Sequence, residues 1–159
     1  QYCYRVASVV GLTIVHIFGF KDRRALELAE KCGIAFQLTN ILRDVREDFE
    51  MGRVYLPAED LARFGVSPSK IQYTPEFIEL MRFEAARAFD YYKQSMPLIR
   101  MVDKDSRASL WALIQIYYRL LQRIESRQYR VLERRVRLST FEKVWLVIQA
   151  GGRKLVGAY

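Results

Sequence analysis

Apolar residues recur along most of this chain at spacings of three and four, the period of a helix with one buried face. Residues 2–18 place Val6, Val10, Ile14 and Ile17 on such a face, and Gly19 supplies a stop. Asp22 can cap a second helix, predicted over residues 23–51 and closed by Gly52, the longest expected in the chain. A loop at 52–57 leads to a short helical piece at 59–64 and then to irregular chain as far as Thr74. Thr74-Pro75-Glu76 is a helix start: a capping hydroxyl, a proline where the missing N–H is not needed, and an acid at the positive helix end. Phe77, Met81, Ala85, Ala88, Phe89, Tyr92 and Met96 continue that stripe until Pro97 ends or kinks it. Asp105 or Ser106 can cap a further helix bearing Leu110, Leu113, Tyr117, Leu121 and Ile124, and a last helix starts near Thr140. No segment alternates with period two. The expectation is an all-α protein with at least five helices and no sheet.

Composition agrees with a packed core. Apolar residues make up 51% and charged residues 28% of the 159, which excludes intrinsic disorder and suits one domain or part of one. The chain opens on Gln1 inside an already patterned segment, so an N-terminal part is expected to precede it. Lys and Arg number 26 against 18 Asp and Glu, a net +8 that favours an anionic partner: diphosphate, phospholipid or nucleic acid. Cys3 and Cys32 build neither a disulfide framework nor a zinc site, and a cytoplasmic location is expected. The apolar run at 9–20 is interrupted by Thr13 and His16 and is too short for ~30 Å of hydrocarbon.

The chemistry concentrates in residues 37–48. Gln37, Asn40, Ile41, Asp44 and Asp48 fall on one helical stripe: two amides, an isoleucine and two carboxylates. The isoleucine suggests that the stripe faces a cleft. Asp44 and Asp48 lie one turn apart with like charge, which a divalent cation with oxygen ligands would offset. Alternatively, they pair with Arg43, Arg46 or Arg53 on a solvated face. Arg53 follows closely and could hold a diphosphate that the metal also touches, or simply sit as a cation at a helix C-terminus. Ala7, Ser8 and Gly11 would admit either a flat aliphatic ligand or a packed helix. His16, alone on an apolar face, reads as a core residue, and no nucleophilic triad or dyad is available.

Arg119, Arg123, Arg127, Arg130, Arg134 and Arg137 recur every three or four positions. Seven arginines and two glutamates between 119 and 137 give that stretch a net +5. A helical basic stripe of this kind suits anionic lipid headgroups or a solvated face; no aromatics are interleaved as a nucleic-acid reader would need.

Three blocks carry a resemblance. Tyr2-Cys3-Tyr4-Arg5-Val6-Ala7-Ser8-Val9-Val10-Gly11, then Ala35-Phe36-Gln37-Leu38-Thr39-Asn40-Ile41-Leu42-Arg43-Asp44-Val45-Arg46-Glu47-Asp48, then Gly52-Arg53-Val54-Tyr55-Leu56-Pro57 resemble the squalene/phytoene synthase family in order and spacing. The resemblance runs over residues 1–159 as the C-terminal portion of a single domain of that family. It implies an all-α isoprenoid synthase fold, in part, with helices around a central cavity. It further implies a prenyltransferase that joins two prenyl diphosphates head to head by Mg²⁺-assisted ionisation, with Mn²⁺ as an alternative. Asp44 and Asp48, with Asn40 close by, match the second of the family's two aspartate-rich metal motifs. Gln37, Asn40 and Arg53 would face diphosphate, Tyr2 and Tyr117 the reacting carbons, and Ala7 and Gly11 the prenyl channel. The first aspartate-rich motif is absent, so the chain alone is expected to be inactive. Ser8 and the 17–19 ending most resemble bacterial presqualene diphosphate synthases of the hopanoid route, acting on farnesyl diphosphate. Phytoene synthase, acting on geranylgeranyl diphosphate in carotenoid synthesis, is the alternative, and a basic helical membrane-binding module is the non-enzyme alternative. Peripheral membrane contact is expected, and nucleic acid is not.

Overall fold

The punctuation residues become helix ends. The computed structural model describes residues 9–159. Within them lie α1 (Val9–Phe18), α2 (Arg24–Arg43), α3 (Val45–Glu50), α4 (Ala58–Arg63), α5 (Pro75–Ser95), α6 (Leu98–Met101), α7 (Arg107–Ser126) and α8 (Thr140–Leu155). Gly19 stops α1 with φ +73°, and a Cβ there would lie 2.2 Å from Asp103 Oδ2. The Thr74 hydroxyl accepts from Phe77 N ahead of Pro75, and Pro97 separates α5 from α6. Ser139 and Glu142 form a reciprocal capping box at the start of α8. Among the described residues the only β pairing is one isolated bridge between Phe20 and Val102.

α2 is the central helix. It packs most extensively on α5, and also on α1, α7 and α6; α8 folds back along α7. Ala25, Ala29, Cys32 and Ala35 keep α2 slender where it is buried, and Phe77, Leu80, Met81 and Tyr92 fill the space from α5. Tyr92 is fully buried, so its hydroxyl needs a partner. The Thr39 hydroxyl donates to the Ala35 carbonyl at 2.8 Å, and therefore accepts from the Tyr92 hydroxyl, also 2.8 Å away.

Four expectations change. The helix predicted over 23–51 breaks at Asp44 (φ −102°, ψ 13°), so α5, with 21 residues, exceeds the 20 of α2. The break is a bend: Asp44 N still donates to Asn40 O, and Asp48 N to Asp44 O, both at 2.9 Å. Aspartate is a poor helix former, and its carboxylate here is drawn to arginines. On α1, Val10 and Ile17 are exposed, and Val15 is the residue that reaches the core; Val6 lies outside the described residues. His16 is exposed, with Nδ1 donating to the Leu12 carbonyl at 2.7 Å. The basic stripe is not one helical face, because α7 ends at Ser126. Gln128 and Tyr129 then take φ 52° and 58°, turning the chain out of the helix.

Candidate functional site

Helices α1, α2, α6 and α7 enclose an apolar cavity of about 250 Å³. Its floor is Val15, Ala29, Cys32, Leu98 and Leu110, all buried. Burial pushes the Cys32 thiol up to about 12, so it serves as an apolar wall and not as a nucleophile. Polar groups enter from one side: the Gln37 and Asn40 amides of α2 and Tyr117 of α7. The Tyr117 ring is stacked on Phe36, 4.5 Å between centroids, which fixes its direction across the cavity. Gly11 lines the same wall for a structural reason as well, since a Cβ there would lie 2.7 Å from the Ala29 carbonyl oxygen. The absence of that Cβ lets α1 close on α2. Tyr2 and Ala7 lie outside the described residues.

Beyond the cavity, the polar stripe turns at Asp44. Arg43 Nε donates to Asp44 Oδ1 at 2.7 Å and its Nη2 to Oδ2. Arg135 Nε donates to Oδ1 at 2.8 Å from the segment between α7 and α8. Asp44 is therefore held by guanidiniums on two sides, which matches the ion-pair alternative rather than an open carboxylate. Asp48 differs. Among the described residues it joins no ion pair, and it faces a small cleft with Arg53, Val54 and Tyr55. Burial, with the charge of Asp44 adding to it, raises its carboxyl above the ordinary value, against the opposing pull of Arg53. Arg53 N donates to the Asp48 carbonyl at 2.8 Å, so the loop that follows α3 is pinned where the acid pair ends. On the far side of Tyr117, Arg43, Arg135, Arg137 and Lys143 line a basic cleft of about 450 Å³.

These donors fit a hard divalent cation. Asp44 and Asp48 supply carboxylate oxygens, and Asn40 Oδ1 is buried without a hydrogen-bond partner, which is costly for an acceptor left to itself. No group of three or more acidic, histidine or cysteine ligands occurs among the described residues. The set suits Mg²⁺ that completes its shell with water and phosphate oxygens.

Arg135 and Phe36 are the contributors that sequence reasoning missed. Arg135 falls outside the three-and-four spacing of the other arginines, and only the turn after α7 explains its direction. Phe36 sits in the matched block, but its stacking on Tyr117 needs two helices to be brought together.

An all-helical bundle around an apolar cavity, edged on one side by amides that lead on to carboxylates, is the architecture of the isoprenoid synthases. The family model described as squalene/phytoene synthase matches residues 1–142. The chain is 36% identical over 158 residues to the 15-cis-phytoene synthase of Synechococcus elongatus, covering 90% of this chain and 51% of that protein. It is 39% identical over 155 residues to the phytoene synthase of Mycobacterium tuberculosis, covering 94% and 51%. A dehydrosqualene synthase crystal structure superposes with a TM-score of 0.85 at 32% identity, over 99% of this chain and 56% of that one. The chain belongs to the squalene/phytoene synthase family. It spans about half the length of the curated relatives it matches.

Proposed function

We propose that the whole protein joins two prenyl diphosphates head to head, with the cavity holding a prenyl tail and the Asn40–Asp44–Asp48 stripe serving its diphosphate. The observation that carries this reading is the continuity of that stripe. It runs from the rim of an apolar cavity, round the bend at Asp44, to an acid facing Arg53. Asp44, Asp48 and Asn40 would hold Mg²⁺ or Mn²⁺, which supplies electrostatic stabilisation of the departing diphosphate. Arg53 and the basic cleft of Arg43 and Arg135 would bind the same anion. Its charge competes with Asp44 for the two guanidiniums and so frees that carboxylate. Gln37 orients the diphosphate end at the mouth. Tyr117, held by Phe36, faces the reacting carbons, where an aromatic ring favours developing positive charge, and Tyr2 would share that role by the family resemblance. The floor residues, together with Gly11 on the wall and with Ala7 in the role the family resemblance gives it, exclude water from a carbocation that water would quench.

Two substrates have specific support. The named relatives support geranylgeranyl diphosphate and phytoene. The likeness to a dehydrosqualene synthase supports farnesyl diphosphate and presqualene diphosphate. Peripheral contact with anionic lipid is part of the proposal on the net charge of +8; no helix among the described residues is long and apolar enough to cross a membrane. The test is to incubate the whole protein with Mg²⁺ and each diphosphate in turn and identify the product by mass. Failure to condense either would refute the reading.

A further inference from the structure

Glu84 lies in the middle of α5 with 1% of its surface exposed, away from the cavity and the acid stripe. Its carboxylate oxygens lie 3.0 and 3.2 Å from Nη1 of Arg87, and the same nitrogen lies 3.0 Å from Oδ2 of Asp60 on α4. Asp60 is 4% exposed. Two buried acids thus converge on one cationic nitrogen. The cluster carries one net negative charge if both are ionised and none if they share a proton. A further charged group, Arg63 of α4, shares an aromatic neighbour with Arg87. Its guanidinium lies 4.7 Å from the centre of the Phe83 ring, and that of Arg87 lies 4.8 Å from the same centre. Arg63 joins neither acid in an ion pair, and Tyr91 of α5 acts electrostatically on Arg87. Burial, reinforced by Asp60, pushes the Glu84 carboxyl up to about 7.

The position of α4 gives this cluster a consequence. The extensive helix-to-helix contacts of the bundle join α1, α2, α5, α6, α7 and α8, and α4 is not among them. It is fastened through side chains: Leu61 in the core and Asp60 on Arg87. It also follows directly on residues 52–57, whose Arg53 is pinned at Asp48 and whose Leu56 is buried. The Arg53 segment is therefore held by the Asp48 turn at one end and by α4 at the other, with Leu56 buried between them.

We propose that Asp60, Glu84 and Arg87 form a proton-dependent anchor that positions the Arg53 segment for diphosphate binding. While the acids share a proton, the Glu84 carboxyl donates to Asp60 and both are satisfied by Arg87. Loss of that proton leaves two anions on one guanidinium in a low-dielectric site. Because α5 is locked against α2, α4 yields and the segment loosens. All three are positioning residues and touch no substrate. The proposal rests on the reading of Arg53 as a diphosphate ligand.

The experiment uses the whole protein and its Glu84→Gln variant, which keeps shape and removes the second charge. Hydrogen exchange of amides 52–66 and calorimetric affinity for pyrophosphate with Mg²⁺ are followed from about pH 5.5 to about pH 8.5. In the native protein, protection of 52–66 should fall by up to about tenfold per pH unit as pH rises toward neutrality and level off above it. Pyrophosphate affinity should fall with it, relative to the variant at the same pH, a ratio that cancels the ligand's own titration. The variant should show neither loss. Equal pH dependence of protection in the two proteins would overturn the anchor. A protection difference with no difference in pyrophosphate affinity would instead overturn the role of Arg53. Should Glu84→Gln fail to fold, Asp60→Asn removes the other charge and must flatten the same profile.

Discussion

Replacing Asp44 and Asp48 one at a time by asparagine should move stability in opposite directions. Asp44→Asn keeps the shape but removes the charge that Arg43 and Arg135 hold at 2.7 and 2.8 Å. A hydrogen bond to a charged group contributes roughly 1.5–3 kcal/mol when shielded. The three side chains are 18%, 20% and 33% exposed, and solvent screening brings the joint loss down to about 1–2 kcal/mol. That lowers the melting temperature by roughly 3–6 °C for a protein of this size. From sequence alone the expected change is nil or a small gain, because only the Asp44–Asp48 repulsion is visible there. Asp48→Asn has no ion pair to lose. It relieves a like-charge contact one turn away, worth about 0.2–0.5 kcal/mol, so its melting temperature should be unchanged or slightly raised. If the proposed reading holds, Mg²⁺ with pyrophosphate should raise the melting temperature of the native protein, and both variants should lose that rise and most product formation. The assay is thermal unfolding of the whole protein with and without those ligands, beside product analysis. An Asp44→Asn variant as stable as Asp48→Asn would refute the ion-pair argument, and full activity of either at limiting Mg²⁺ would refute the metal role.

Gly11→Ala would put a methyl 2.7 Å from the Ala29 carbonyl oxygen, a backbone atom that cannot rotate aside. α1 must lift, costing about 1–3 kcal/mol, read as a lower denaturant midpoint; an unchanged midpoint would show that the approach is not close. Ser139→Ala removes the acceptor that caps α8 and should cost about 1 kcal/mol, measurable as a melting-temperature drop of roughly 2–4 °C. Two glutamates give opposite pH slopes. Glu84, raised from 4.5 to about 7, contributes stability that is complete below its unfolded value and lost as pH climbs through 7, at most about 3 kcal/mol. Glu142, lowered from 4.5 to about 2 by the Arg123 guanidinium, contributes stability present above 4.5 and lost as pH falls toward 2. Stability should therefore peak in mild acid, and Glu84→Gln should move the peak upward; a peak that stays put would contradict the Glu84 argument.

Much of the fold was legible because its signals are local. Thr74-Pro75, Pro97 and Gly19 act on their own backbone, and the structure starts a helix at the first and ends one at each of the others. The bend at Asp44 was not legible, since it depends on Arg135, 91 positions away in sequence. The buried face of α1 was misread for a related reason. Val10 and Ile14 do sit at helical spacing, but they line a cavity, and period alone does not separate a cavity wall from a packed core. For the site, the matched blocks contained Gly11, Gln37, Asn40, Asp44, Asp48 and Arg53, and the family resemblance added Tyr117 from outside them. The arginines that hold Asp44, and the buried cluster of Asp60, Glu84 and Arg87, emerge only when separate helices meet.

The turn after α7 is made by two adjacent left-handed residues, Gln128 and Tyr129, where many helices use one glycine. Left-handed backbone at a residue bearing a Cβ costs about 1–2 kcal/mol, and Gln128 is exposed and engaged through its backbone, its N–H donating to the Glu125 carbonyl and its carbonyl accepting from the Tyr73 hydroxyl. Gln128→Gly would keep that carbonyl and relax the backbone. The turn is thus a reserve of stability outside the cavity. A drifting or redesigned sequence could draw on it to tolerate a disruptive change at Ala29 or Leu98, and so reshape the cavity without unfolding.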